Sequence, residues 1–124
     1  MLNCVAWNKI LKLKFQKLHQ TVVTSITPAS IIDFLFQAAV IGVDDMEALQ
    51  KVKDKEGARE QCRKLLTLLH ASQHPQAFIQ LYLAIKDESH LRWLVERIDN
   101  ESVIDLLQQL YISEPTGCVN MRFS

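Results

Sequence analysis

The sequence predicts an all-α fold, a bundle of short helices packed around one core. Three observations predict it. Apolar residues recur at three- and four-residue spacing through most of the chain, the period of helices with one buried face. Sharp stops at Thr27-Pro28, Gly42 and His74-Pro75 divide that pattern into short segments. Strand alternation is missing, and 3 Gly and 3 Pro among 124 residues are too few turn formers for a multi-stranded sandwich. With 48% hydrophobic residues, the chain has apolar material for one real core and too little length for two ordinary domains.

The first segment runs from about Trp7 to Val23. Trp7, Ile10, Leu11, Phe15, Leu18 and Val22 form its stripe, while Lys9, Lys12 and Lys17 lie off it. Leu13 breaks the stripe, which predicts a bent or doubly packed helix. Thr27 as N-cap and Pro28 at the first helical position restart the chain. Ile31, Ile32, Leu35, Phe36 and Ala39 then make an apolar face, and Gly42 reads as a left-handed stop. Asp44 with Glu47 resembles a capping box ahead of a short third helix with Met46, Leu49 and Val52 on one edge. The polar run from Lys53 to Gly57 reads as a loop.

A fourth stripe follows at Ala58, Cys62, Leu65, Leu66 and Leu69, with Arg59 and Arg63 one turn apart outside it. After His74-Pro75, the residues Phe78, Ile79, Leu81, Tyr82, Leu83 and Ile85 are apolar nearly all round, so the fifth helix is expected to be the buried one. Ser89 is placed to cap a sixth helix carrying Leu91, Leu94, Val95 and Ile98. Val103, Leu106, Leu107 and Leu110 continue the pattern, either as a seventh helix or as one long helix with the sixth. Pro115 to Ser124 reads as a frayed tail.

Formal net charge is +0, which argues against wholesale affinity for nucleic acid and leaves only a local basic stripe. That neutrality hides an asymmetry. The first 32 residues carry Lys9, Lys12, Lys14 and Lys17 and no acidic residue; the first carboxylate is Asp33, and Asp44, Asp45 and Glu47 follow as a cluster. Cys4, Cys62 and Cys118 are an odd number without CxxC spacing, so neither a disulfide framework nor a zinc site is expected. Met1 to Ala6 is too short for a signal peptide, and no stretch approaches the ~20 apolar residues of a membrane span. The chain reads as cytosolic or nuclear, and the cytoplasm is the expected compartment.

Three stretches carry a family resemblance. Ile26-Thr27-Pro28-Ala29-Ser30-Ile31-Ile32-Asp33-Phe34-Leu35 is similar to the second helix of a caspase recruitment domain (CARD), with its hydrophobic–Asp–x–Leu step. Ile41 to Leu49 resembles the start of that family's third helix, with Val43 where Ser or Thr is common. Ala58 to Leu69, followed by Pro75-Gln76-Ala77-Phe78, resembles the fourth helix and the G-P-x-A-F start of the fifth, with His74 in place of the Gly. The resemblance covers roughly Trp7 to Ile98. It implies a death-fold, six-helix antiparallel Greek-key bundle with a bent first helix. Residues 1–99 would be the CARD, and 100–124 a C-terminal extension, part helical and part disordered. It further implies a non-enzymatic module of homotypic assembly in caspase activation, apoptosis or innate immunity. The implied partners are other CARD proteins: an initiator caspase, an adaptor, an apoptosome-type scaffold or a second copy. No cofactor is implied.

Carried over by position, the resemblance implies a basic face of Lys9, Lys12 and Lys17 on the first helix with Arg59, Arg63 and Lys64 on the fourth. It implies an acidic face of Asp33, Asp44, Asp45 and Glu47 on the second and third. The competing account is a solvated polar surface, and Asp44 and Glu47 can equally serve as helix caps. A small nucleic-acid-binding domain using Lys9 to Lys17 is the alternative function. His70 and His74 have a metal-chelating spacing, but with Pro75 next and no nearby carboxylate or Cys they read as helix-end polar residues. Cys62 lies on an apolar stripe and reads as core, and Trp7 and Trp93 read as packing residues rather than exposed anchors.

Overall fold

The computed structural model describes residues 4–104. It contains helices α1 (Cys4–Lys17), α2 (His19–Ser25), α3 (Pro28–Gln37), α4 (Val43–Glu56), α5 (Ala58–Ala71), α6 (Ala77–Lys86) and α7 (Arg92–Asn100), with a 3₁₀ turn at Ser89–Leu91 before α7. The described residues are all-helical, as expected. None of their helices is long and apolar enough to cross a membrane.

The expected bent first helix is α1 plus α2. The bend falls at Leu18, whose φ −100° and ψ 17° leave the helical region. Backbone bonds from Leu18 to Lys14 and from Val22 to Leu18, both 2.9 Å, carry the chain across it. Bending lets one stripe serve two directions: Leu11 and Phe15 are buried from α1, Val22 and Val23 from α2.

Helix α6 sits at the centre, packed on α1, α3 and α7. Phe78, Ile79, Leu81, Tyr82, Ala84 and Ile85 are all buried, as an apolar-all-round helix requires. Its N-terminus is closed by a residue from another helix. The Asn8 Oδ1 of α1 accepts from the amides of Phe78 at 2.8 Å and Ile79 at 3.2 Å. His74 Nδ1 accepts from the Gln76 amide at 3.0 Å. These amides would otherwise lack partners in the helix's first turn. Asn8→Ala is expected to cost about 1–2 kcal/mol, the usual size of a lost N-cap, and urea unfolding of the variant measures it.

Several helix ends differ from the sequence reading. The left-handed residue that ends α3 is Ala39 at φ 62°, not Gly42. Val40 donates to the Leu35 carbonyl and Ala39 to that of Phe36, the two bonds of a Schellman motif. Gly42 is extended and begins α4 instead. Its amide donates to Asp45 Oδ2 at 3.0 Å, so the cap is Asp45 and not the Asp44–Glu47 pair. Helix α4 also runs through the supposed loop to Glu56. Gln50 bonds Asp54 one turn on, Lys53 and Lys55 face the negative end of the helix dipole, and Gly57 at φ 97° makes the stop. Thr27 precedes α3 as expected but makes no side-chain cap bond. Ser89 lies in the 3₁₀ turn, and α7 starts three residues later. Glu101 is extended, so the sixth and seventh segments are not one helix. Val103 is buried; Leu106, Leu107, Leu110, Cys118 and the tail from Pro115 lie outside the described residues.

Candidate functional site

The basic residues come from α1 and α5. The side chains of Lys9, Lys12 and Arg63 are half-buried, while Lys17, Arg59 and Lys64 belong to exposed residues. Arg63 is already paired with Glu60, one turn earlier on α5. Lys12 lies close enough to His70, at the far end of α5, for its charge to disfavour imidazole protonation. The helical rise from Arg59 to His70 is about 16 Å, so the basic residues on the expected first and fourth helices extend along α5 rather than cluster at one point. Lys17 is turned to other work. It pairs with Glu101 at 3.1 Å and donates to the Ser102 carbonyl at 2.7 Å.

The acidic residues lie on α3 and α4. Asp33, Asp44 and Glu47 are exposed, whereas Asp45 is half-buried and holds the Gly42 amide. Asp33 lines a groove of about 250 Å³ with Ile32 of α3, Met46, Gln50 and Lys53 of α4, and Gln61 of α5. Gln61 is a polar core residue the sequence reading missed. It is only 4% exposed, and its Nε2 donates to the Leu49 carbonyl at 3.2 Å. Its spacing to Leu65 was the available signal, since i and i+4 share a face. Two exposed apolar residues were also misplaced: Phe36 and Trp93, the latter 50% exposed rather than packed. Trp7 does pack, edge-on to Tyr82 at 6.0 Å.

The remaining titratable residues have structural settings. Cys62 is fully buried, and burial pushes its thiol up to about 12, with the Arg63 charge opposing only in part. A thiol held there is not a nucleophile at neutral pH. His70 packs its ring 4.8 Å from that of Phe78. Burial first, then the charges of Lys12 and His19, hold its pKa below the ordinary 6.5. The folded state therefore disfavours the proton that the unfolded chain accepts. Stability is expected to be flat above pH 6.5 and to fall as pH drops from there toward the lower folded value. Melting temperatures across that window should show the decline, and His70→Gln should flatten it. His74 Nδ1 is engaged by the Gln76 amide, and among the described residues no three His, Cys, Asp or Glu side chains gather as a metal cluster.

What is left is a helical bundle with charged faces. The family model for the caspase recruitment domain matches residues 12–101. The chain belongs to the CARD family. Comparison with curated proteins and with solved structures gives no match. A CARD is a homotypic protein-interaction domain of apoptotic and immune signalling, and its partners are other CARD and death-fold proteins.

Proposed function

We propose that this CARD assembles with a second copy or with the CARD of an initiator caspase, adaptor or apoptosome-type scaffold, in the cytoplasm. Its basic α1/α5 face, Lys9, Lys12, Lys17, Arg59, Arg63 and Lys64, meets an acidic α3/α4 face, Asp33, Asp44, Asp45 and Glu47. The complex so formed activates or regulates a caspase or innate-immune signalling pathway. The observation that carries this reading is the placing of exposed charge: α1 carries lysines and no carboxylate, whereas the first turn of α4 carries Asp44 and Asp45 with Glu47 close behind, and no residue named for either face is buried.

Exposed ion pairs are worth only about 0–1 kcal/mol each, so one such interface is weak. Useful affinity then comes from many interfaces in one oligomer, with charge setting partner choice and rate of encounter. Sedimentation velocity of the domain, alone and with candidate CARDs, tests this at low and high salt. Concentration-dependent association that weakens with salt is the expected result. Salt-insensitive monomers with every CARD tried, or binding only to duplex DNA or RNA, would reject it.

A further inference from the structure

The last turn of α7 and residues 101–103 after it lie at the C-terminal end of α1, and α1 grips them. Lys14 Nζ donates to the Asp99 carbonyl at 3.2 Å. Lys17 Nζ donates to the Ser102 carbonyl at 2.7 Å and pairs with Glu101 Oε2 at 3.1 Å. These two lysines stand three residues apart, so they share one side of α1. Arg97 holds the other oxygen of the same carboxylate at 2.9 Å. The Tyr82 hydroxyl donates to Asp99 Oδ1 at 2.7 Å. Glu101 keeps only 15% of its side-chain exposure and Val103 is 4% exposed, so the segment is seated against the bundle.

The chemistry of this contact is that of the docking interface in miniature. Lys17 is one of the lysines through which the basic face would engage a partner's carboxylate, and a carboxylate of the chain itself is already there. An ammonium has three N–H donors, and two of Lys17's have acceptors here. Hydrogen bonding from Lys17 is also the chief influence holding the Glu101 carboxyl below its ordinary pKa. Release need not strand Glu101, because Arg97 is on the same exit and is 54% exposed.

We propose that residues 99–103 are a built-in strap whose Glu101 competes with the acidic face of a second CARD for Lys17, restraining assembly while it is seated. The inference rests on the docking reading above. It gives the C-terminal exit of the domain a regulatory part: whatever lifts the strap returns Lys17 to the basic face.

Sedimentation velocity of the full chain at low salt tests it. Glu101→Gln is expected to tighten self-association about two- to fivefold, the range of a single exposed pair. Lys17→Gln should weaken association more in that background than in the wild-type chain. Arg97→Gln removes the other partner of the carboxylate and keeps the Lys17 contact, so association should not tighten. Should Glu101→Gln lower the melting temperature, the comparison with the wild-type chain is made at a temperature where circular dichroism shows both folded. Unchanged association in Glu101→Gln, while Arg63→Glu abolishes it, overturns the strap and leaves the docking faces standing. Tightening that Lys17→Gln does not diminish also overturns it. Association missing from the wild-type chain and from every variant overturns the docking reading and the strap together.

Discussion

Phe78→Ala is expected to cost about 3–5 kcal/mol, the range for emptying a buried aromatic site. Phe78 is 1% exposed and stands in the first turn of α6, the helix at the centre of the bundle. Its ring lies 5.9 Å from that of Phe15 on α1 and 4.8 Å from His70 on α5. Three helices thus lose their common filler at once, and the void is flanked by α1 and α5, the two helices that carry the basic residues of the proposed face. Small domains hold only about 5–15 kcal/mol in total, so the loss is a large share of stability. The melting temperature should fall by about 12 °C or more. Phe78→Leu keeps most of the volume and should cost much less. A melting temperature unchanged in Phe78→Ala would mean that α6 is not the core helix.

The parts of this fold that sequence could reveal are those decided within a few residues. Thr27-Pro28 marks the start of α3 because proline's lost amide costs nothing there. The buried character of α6 was visible because its apolar residues leave no polar face. Leu13 falling off the stripe predicts a bent or doubly packed helix without saying where, and the chain bends at Leu18. Helix ends were misread where two local signals competed. Glycine is the usual left-handed residue, yet Ala39 takes that conformation where the Val40 amide reaches the Leu35 carbonyl, and Gly42 caps the next helix. The polar run after Lys53 looked like a loop by composition, while its i,i+4 pair and closing Gly57 favour helix.

Contacts between distant residues were beyond any such reading. Asn8 caps a helix 70 residues away, and nothing near Asn8 in the chain says so. A docking role for Lys17 is implied only by the family resemblance; its engagement by Glu101 and Ser102 appears only when the chain leaving α7 lies against α1. Conversely, Cys62 follows from the period, four residues before the buried Leu66, while Ala58 on the same stripe is exposed at the first residue of α5, where the period alone does not decide burial.

Those contacts also decide which charge reversals are informative, and the reversals carry the largest expected effect on function. Arg63→Glu should reduce association about a hundredfold or more, because a like charge set against the acidic face costs several kcal/mol at each contact. The effect multiplies in an oligomer that uses the contact repeatedly. Arg63 is paired with Glu60 on its own helix, so the substitution also sets two carboxylates one turn apart. That intrahelical repulsion is worth about 0.2–0.5 kcal/mol, too little to unfold the domain, and Arg63→Gln separates it from loss of docking. On the opposite face Asp33 and Asp44 are the useful probes. Asp45 is a poor one because it caps α4, and Lys17 is a poor one because Glu101 holds it. Asp33→Lys alone should fail to associate, as Arg63→Glu alone does. Mixed together, the two variants offer reversed faces to each other. The carboxylate introduced by Arg63→Glu then meets the ammonium introduced by Asp33→Lys at one type of contact, while every other contact keeps its native sign. Partial recovery of association in the mixture, measured by sedimentation with both chains folded by circular dichroism, is the expected outcome. No change in association from any reversal on either face would reject charged-face docking and leave assembly to the exposed apolar residues Phe36, Val43 and Trp93.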